Sequence, residues 1–196
     1  MLPPGQGQLY WHVLLGDQPQ VVATVREVQS RLAGFNGLDP TPHRWLHITV
    51  LMAGLTRDIA PEQRQRMVTE ATRLLQRVPP IVVRLSRMLY HPEAIALAVS
   101  PGDDLTPLLE AVQAATRAAT GDDGVLAHQP WTPHLTVAYS SARQPAAPII
   151  AAVGRELGRQ PRRPGRPGGS VELGGHRPGS PGRRDRLRAA GGRASA

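Results

Sequence analysis

Apolar residues fall along this chain in short rhythms of two kinds, and the two kinds alternate. "LYWHVLLG" (residues 9–16) is short, apolar and rich in strand-forming residues. Alternation sets Trp11, Val13 and Leu15 against a buried layer and leaves Tyr10, His12 and Leu14 on the opposite face. Val21, Val25, Val28 and Leu32 follow at helical spacing, with Gly34 suited to the end. "WLHITVLMAG" (45–54) reads as a second strand. Met67, Ala71, Leu74, Leu75 and Val78 then mark a helix that starts near Asp58 and Pro61 and stops at "VPP". "IVVRLSRMLY" (81–90) and "EAIALAVS" (93–100) read as two strands joined by a turn at His91–Pro92. Leu108, Leu109, Val112 and Ala115 predict a third helix ending near Gly121. "HLTVAYS" (134–140) predicts a further strand, and Ile149, Ile150, Val153 and Leu157 a fourth helix.

Laid side by side, the halves share an order. The first runs strand, helix, strand, helix, strand; the second runs strand, helix, strand, helix. The matching strands carry the same phrase: His47, Thr49 and Val50, then His134, Thr136 and Val137. Composition alone yields such a His-x-Thr-apolar match about 0.16 times in a chain like this one, so two on matching strands are a specific signal. Alternation turns Leu46, Ile48 and Val50 toward the helices and His47, Thr49 and Leu51 the other way. It likewise turns Leu135, Val137 and Tyr139 inward and His134 and Thr136 outward. A pseudo-twofold arrangement brings the two phrases together across a cleft, as one site built from two half-sites.

Two imidazoles can divide a proton transfer, one accepting while the other donates. Two hydroxyls can donate to non-bridging oxygens. Together they suit an in-line displacement at phosphorus, with nucleophile and leaving group on opposite sides. No carboxylates accompany the set, so no metal or other cofactor is expected. His43 and His47 are four apart, but Pro40, Pro42 and the strand argue against a helical metal site there. On the first strand, Tyr10 and His12 are candidate contacts to a base or sugar. Arg84 and Ser86 on the third strand are weaker ones, an arginine there being more often just solvated. The matching strand of the second half offers only Ala96, Ala98 and Ser100, so the cleft is expected to be lopsided, with room on that side. His91, His128 and His176 read as surface or turn residues.

Charge and composition change the picture only at one end. The net charge is +8, all of it carried beyond residue 154 in a segment rich in Arg, Gly and Pro. Residues 158–196 lack apolar periodicity apart from "SVEL" (170–173) and are expected to form a disordered tail. Cysteine is absent, which excludes disulfides and thiolate chemistry. No secretory signal or membrane-length apolar run is seen, so a cytoplasmic monomer is expected.

The paired phrases, their spacing and the repeated order resemble the two-histidine phosphoesterase superfamily. The likeness is to its bacterial 2′-5′ RNA ligase-like, cyclic phosphodiesterase branch, and "YWHVLLGDQPQV" and "PWTPHLTVAYS" look like an actinobacterial-type variant. The likeness covers about residues 8–157. It implies an α+β bilobal fold with two antiparallel sheets flanking a central cleft and helices outside. The domain would be 1–157, with intertwined lobes of about 8–91 and 92–157. It implies metal-free chemistry on RNA ends or cyclic nucleotides: 2′,3′-cyclic phosphates opened to 2′-phosphates, and 2′-5′ linkages made or broken. His47 and His134 would be catalytic, and Thr49 and Thr136 phosphate-binding. Relatives usually close the second lobe with an apolar strand after the fourth helix, a place held here by the tail. Many carry a basic residue shortly after the second motif, where this chain has Tyr139. Two other readings stand beside catalysis: a catalytically weak nucleotide- or RNA-binding relative, and an RNA-tethering protein acting through its basic tail.

Overall fold

The computed structural model describes residues 7–125, 127 and 129–154, together with the backbone of two further strands at 170–176 and 186–188. Along the chain run β1 (Gln8–Leu14), α1 (Pro19–Leu32), β2 (Leu38–Pro40), β3 (His47–Leu55), α2 (Pro61–Leu75), β4 (Arg84–His91), β5 (Ala94–Ser100), α3 (Thr106–Thr120), β6 (His134–Ser140), α4 (Ala146–Val153), β7 (Ser170–His176) and β8 (Arg186–Arg188). Short 3-10 turns at His43–Trp45 and Asp103–Leu105 lead into β3 and α3. Of the fourth predicted helix, Ile149, Ile150 and Val153 lie in α4, and Leu157 falls outside the described residues. No helix among the described residues is long and apolar enough to cross a membrane.

All strand pairings are antiparallel, in the order β4-β5-β6-β3-β1-β7-β8, with β2 on the far end of β6. The two half-sheets meet at one pair, Ile48 of β3 opposite Leu135 of β6, so they join into a single splayed sheet. Helices cover one face only, and the pattern of apolar positions explains which. Trp11, Val13, Ile48, Val50, Leu97, Leu135 and Val137 are all buried beneath them.

The helices are exchanged between the halves. Val25, Val28 and Leu32 line the buried side of α1, which packs against β6 and against α4, while α3 packs over β3 and against α2. The Trp11 indole on β1 donates to the Thr116 hydroxyl on α3 at 3.0 Å, both side chains being fully buried. In space, one lobe is β1, β3, α2 and α3, and the other is β4, β5, β6, α1 and α4. Each lobe draws on both halves of the sequence, α1 serving the lobe of β4, β5 and β6, and α3 that of β1 and β3.

The tail needs a correction. Most of 158–196 lies outside the described residues, but Ser170–His176 and Arg186–Arg188 are strands, not disordered chain. β7 pairs with β1 along seven residues, Leu14 opposite Ser170 through Gln8 opposite His176. "SVEL" therefore extends the first lobe, not the second. The physical reason is an open edge: without β7, β1 has a row of unpaired backbone groups.

Candidate active site

The register across the centre of the sheet assembles the site. With Ile48 opposite Leu135 in an antiparallel pair, His47 falls beside Thr136 and Thr49 beside His134. All four occupy the face away from the helices, while Ile48 and Leu135 between them are buried. The pseudo-twofold passes through the Ile48–Leu135 pair, so the histidines lie diagonal to one another. Ordinary sheet spacing sets diagonal Cα atoms about 7–8 Å apart, and more where the strands splay. Two imidazoles so placed can face opposite sides of one phosphorus.

Each histidine is held in the same way. His47 Nδ1 lies 2.7 Å from the Trp45 carbonyl, and His134 Nδ1 lies 2.8 Å from the Thr132 carbonyl. A carbonyl oxygen only accepts, so each Nδ1 carries the proton and donates it. That leaves Nε2 as the working atom in both rings, a lone pair when the ring is neutral and an N–H when it is charged. Both bonds reach back two residues, to the segments that lead into β3 and β6. The repeated phrase thus encodes a repeated tautomer as well as a repeated position.

A second shared feature is a bulge directly after each motif. Opposite β1, Val50 and Leu51 both face Trp11, with a register shift between Trp11 and His12. Opposite β5, Val137 and Ala138 both face Ile95. All four bulge residues are buried. Each bulge leaves carbonyls unpaired in the ladder, and these find other donors. The Trp131 indole donates to Thr49 O at 3.1 Å, tying the approach of one motif to the other. The Gln29 amide and the Thr41 N–H both donate to Val137 O, at 2.9 Å each.

The bulges overturn two side-chain orientations expected from strict alternation. Leu51 turns into the core instead of the cleft. Tyr139 turns out to the cleft face at 47% exposure instead of under the helices. Met52, opposite Tyr10, is its pseudo-symmetric twin. The signal was present in the sequence as two consecutive apolar residues after each motif Thr, "VL" and "VA", which break the alternation.

Tyr10 and His12 are on the cleft face as expected. The rings of Tyr10 and His12 stack at 5.4 Å, and those of His12 and His47 at 4.1 Å and 29°. His12 is buried and stands opposite Thr49, so a third imidazole backs the first motif. Burial pushes the Tyr10 phenol above its ordinary pKa, and nearby Tyr139 adds to the shift; the Tyr10 hydroxyl donates to Gln8 Oε1 at 2.6 Å. Tyr10 is therefore a neutral hydrogen-bonding group across the physiological range.

The second lobe offers Ala94, Ala96 and Ala98 at the positions corresponding to Tyr10, His12 and Leu14. The expected asymmetry is there, but Ala96 and Ala98 are buried rather than forming an open floor. A methyl group is shaded by any larger side chain on the strands either side. Ser86 lies on the cleft face of β4, but its hydroxyl donates to the Ala98 carbonyl at 3.1 Å, so its proton is engaged. His43 and His91 lie apart from the quartet, His43 near Arg26 and His91 at the outer end of β4. His128 falls outside the described residues. A cavity of about 500 Å³ lies between α1 and β2, lined by Arg26, Gln29, Phe35 and Pro40 among others, and is not part of the quartet.

No Asp or Glu occupies a cleft-face position of β1, β3, β4, β5 or β6. Among the described residues no three His, Asp or Glu side chains gather as a metal-ligand group.

A splayed antiparallel sheet with two His-x-Thr motifs meeting on a pseudo-twofold defines a two-histidine phosphoesterase. The family model of the 2′-5′ RNA ligase superfamily matches residues 17–165, and the chain belongs to that family. It is 26% identical over 150 residues to an RNA 2′,3′-cyclic phosphodiesterase of Thermus thermophilus, an alignment covering 73% of each chain. The fold matches the crystal structure of TT0787 from Thermus thermophilus, with a TM-score of 0.59 and 19% identity over 92% of this chain and 94% of that one. It also matches Escherichia coli LigT in its apo form, with a TM-score of 0.54 and 15% identity over 93% and 94%.

Proposed function

We propose that this protein is a metal-independent phosphoesterase that opens 2′,3′-cyclic phosphates on RNA ends or nucleotides to 2′-phosphates. It would act on 2′-5′ linkages by the same chemistry. The observation that carries this reading is the matched pair of Nδ1–carbonyl bonds, which leave two equivalent Nε2 atoms for acid–base work. The cyclic phosphodiesterase of Thermus thermophilus supports it by likeness. The enzyme is read as a monomer in the cytoplasm.

In the reaction, His134 activates water against phosphorus and His47 protonates the departing 3′ oxygen. Exposure supports this division: His134 is open to solvent, from which the water comes, while His47 is partly buried beside His12. Thr49 and Thr136 donate to the non-bridging oxygens as charge builds there. The P–O3′ bond breaks as the P–O(water) bond forms. One proton passes from water to His134 and another from His47 to O3′, which leaves a 2′-phosphate.

The scheme makes turnover independent of divalent ions and dependent on pH. Turnover of adenosine 2′,3′-cyclic phosphate survives excess EDTA, since every group in the scheme is a side chain. Loss in EDTA with recovery on adding one divalent ion would refute the metal-free scheme. Rate against pH describes a bell, because one imidazole must be neutral while the other is charged. Both limbs belong to the coupled pair. A rate climbing steadily to pH 10 would rule out an imidazolium acid.

A further inference from the structure

The cleft face of β4 carries two arginines in line with the catalytic row. Between Leu85, opposite Val99, and Met88, opposite Leu97, the register skips two residues. Ser86 and Arg87 therefore form a bulge opposite the single residue Ala98, and both take Ala98's face. Ala98 in turn stands opposite His134. One row across the sheet thus reads His134, Ala98, Arg87. Arg84, opposite Ser100, lies on the same face one pair further along. The other side of β4 points into the core, where Met88 is buried and the Tyr90 hydroxyl donates to Gly154 O.

Arg84 and Arg87 are exposed, and among the described residues neither side chain forms an ion pair or a hydrogen bond. Two strands' separation is about 9.5 Å. One nucleotide step and an extended arginine side chain span that distance between them. Only the methyl of Ala98 intervenes. On the opposite side of the quartet the matching positions hold Leu14, His12 and Tyr10, which wall the cleft.

We infer that the bulged edge of β4 is the track for the RNA strand leading into the site, with Arg87 and Arg84 binding backbone phosphates on the 5′ side of the cyclic phosphate. This rests on the phosphoesterase reading and narrows its substrate to oligonucleotides over mononucleotides. Arginine to phosphate is a positioning contact, indifferent to base identity and sensitive to salt. The bulge aims both guanidinium groups toward the cleft, and the Ser86–Ala98 hydrogen bond pins it.

The test compares two substrates: adenosine 2′,3′-cyclic phosphate, and a five-residue oligoadenylate with a 3′-terminal 2′,3′-cyclic phosphate. In the parent, kcat/KM is expected to favour the oligonucleotide by about tenfold or more at about 50 mM salt, with the advantage shrinking at about 200 mM. In Arg84→Ala/Arg87→Ala the advantage is expected to vanish, while mononucleotide turnover and the melting temperature stay as in the parent. Arg87→Lys retains part of the advantage, since a charge remains without the planar fork. An oligonucleotide advantage unchanged in the double variant would overturn the inference, as would a parent with no preference; the arginines would then serve only to guard an exposed edge. A parent that opens neither substrate would overturn the phosphoesterase reading itself, and the inference with it.

Discussion

His47→Ala and His134→Ala are each expected to lower kcat on a 2′,3′-cyclic nucleotide by about 10² to 10⁴, the usual weight of a general acid or base. The double variant is expected to be little worse than either single one, because the two imidazoles act on one phosphorus as a unit. Each ring makes an Nδ1–carbonyl bond to the chain just before its strand, and the His47 ring also stacks on His12; both rings lie on the face away from the buried core, so their removal leaves the core intact. Melting curves of the variants should overlay the parent's. A substrate with a better leaving group than the ribose 3′ oxygen then separates the roles. It needs little help from an acid, so it is expected to rescue His47→Ala and not His134→Ala. Rescue of His134→Ala alone would reverse the assignment. Activity losses that multiply in the double variant would mean that the histidines work in separate steps.

The largest expected effect on stability comes from Trp11→Ala. Trp11 is wholly buried on β1, and its indole is the hydrogen-bonded link to Thr116 on α3, a helix from the other half of the chain. Truncating so large a core residue costs about 3–5 kcal/mol. That is a large part of a total stability of about 5–15 kcal/mol. For a chain of this size it corresponds to a fall in Tm of about 6–20 °C. Thr116 keeps its bond to Val112 O, so the loss is mainly cavity and transfer free energy rather than an orphaned hydroxyl. Thermal unfolding measured by circular dichroism reads it directly. A fall of only a degree or two would contradict the docking of α3 beneath β1.

The quartet was legible because a strand's period is short and strict. His47 and Thr49 two apart must share a face, and Ile48 and Val50 between them must share the other. Whatever depended on an irregular backbone was not. Leu51 and Tyr139 were placed by alternation on the wrong faces because a bulge adds one residue and flips the positions beyond it. Arg87 was passed over for the same reason, its face being set by the bulge at Ser86. The exchange of α1 and α3 between lobes leaves no local trace, since an amphipathic stripe shows that a helix is covered and not by which strand. β2 is three residues, Leu38–Pro40, too short for any periodicity. The strand at Ser170–His176 was visible as four residues of pattern, but its partner, the open edge of β1, stands at the other end of the chain.

The product of the reaction tests the central claim most directly. Adenosine 2′,3′-cyclic phosphate incubated with the purified full chain in EDTA, and monitored by phosphorus NMR, is expected to yield the 2′-phosphate alone. The His47→Ala/His134→Ala protein, equally folded, is expected to yield none over the same period. Formation of the 3′-phosphate, or equal turnover by the double variant, would contradict a two-histidine site that expels the 3′ oxygen.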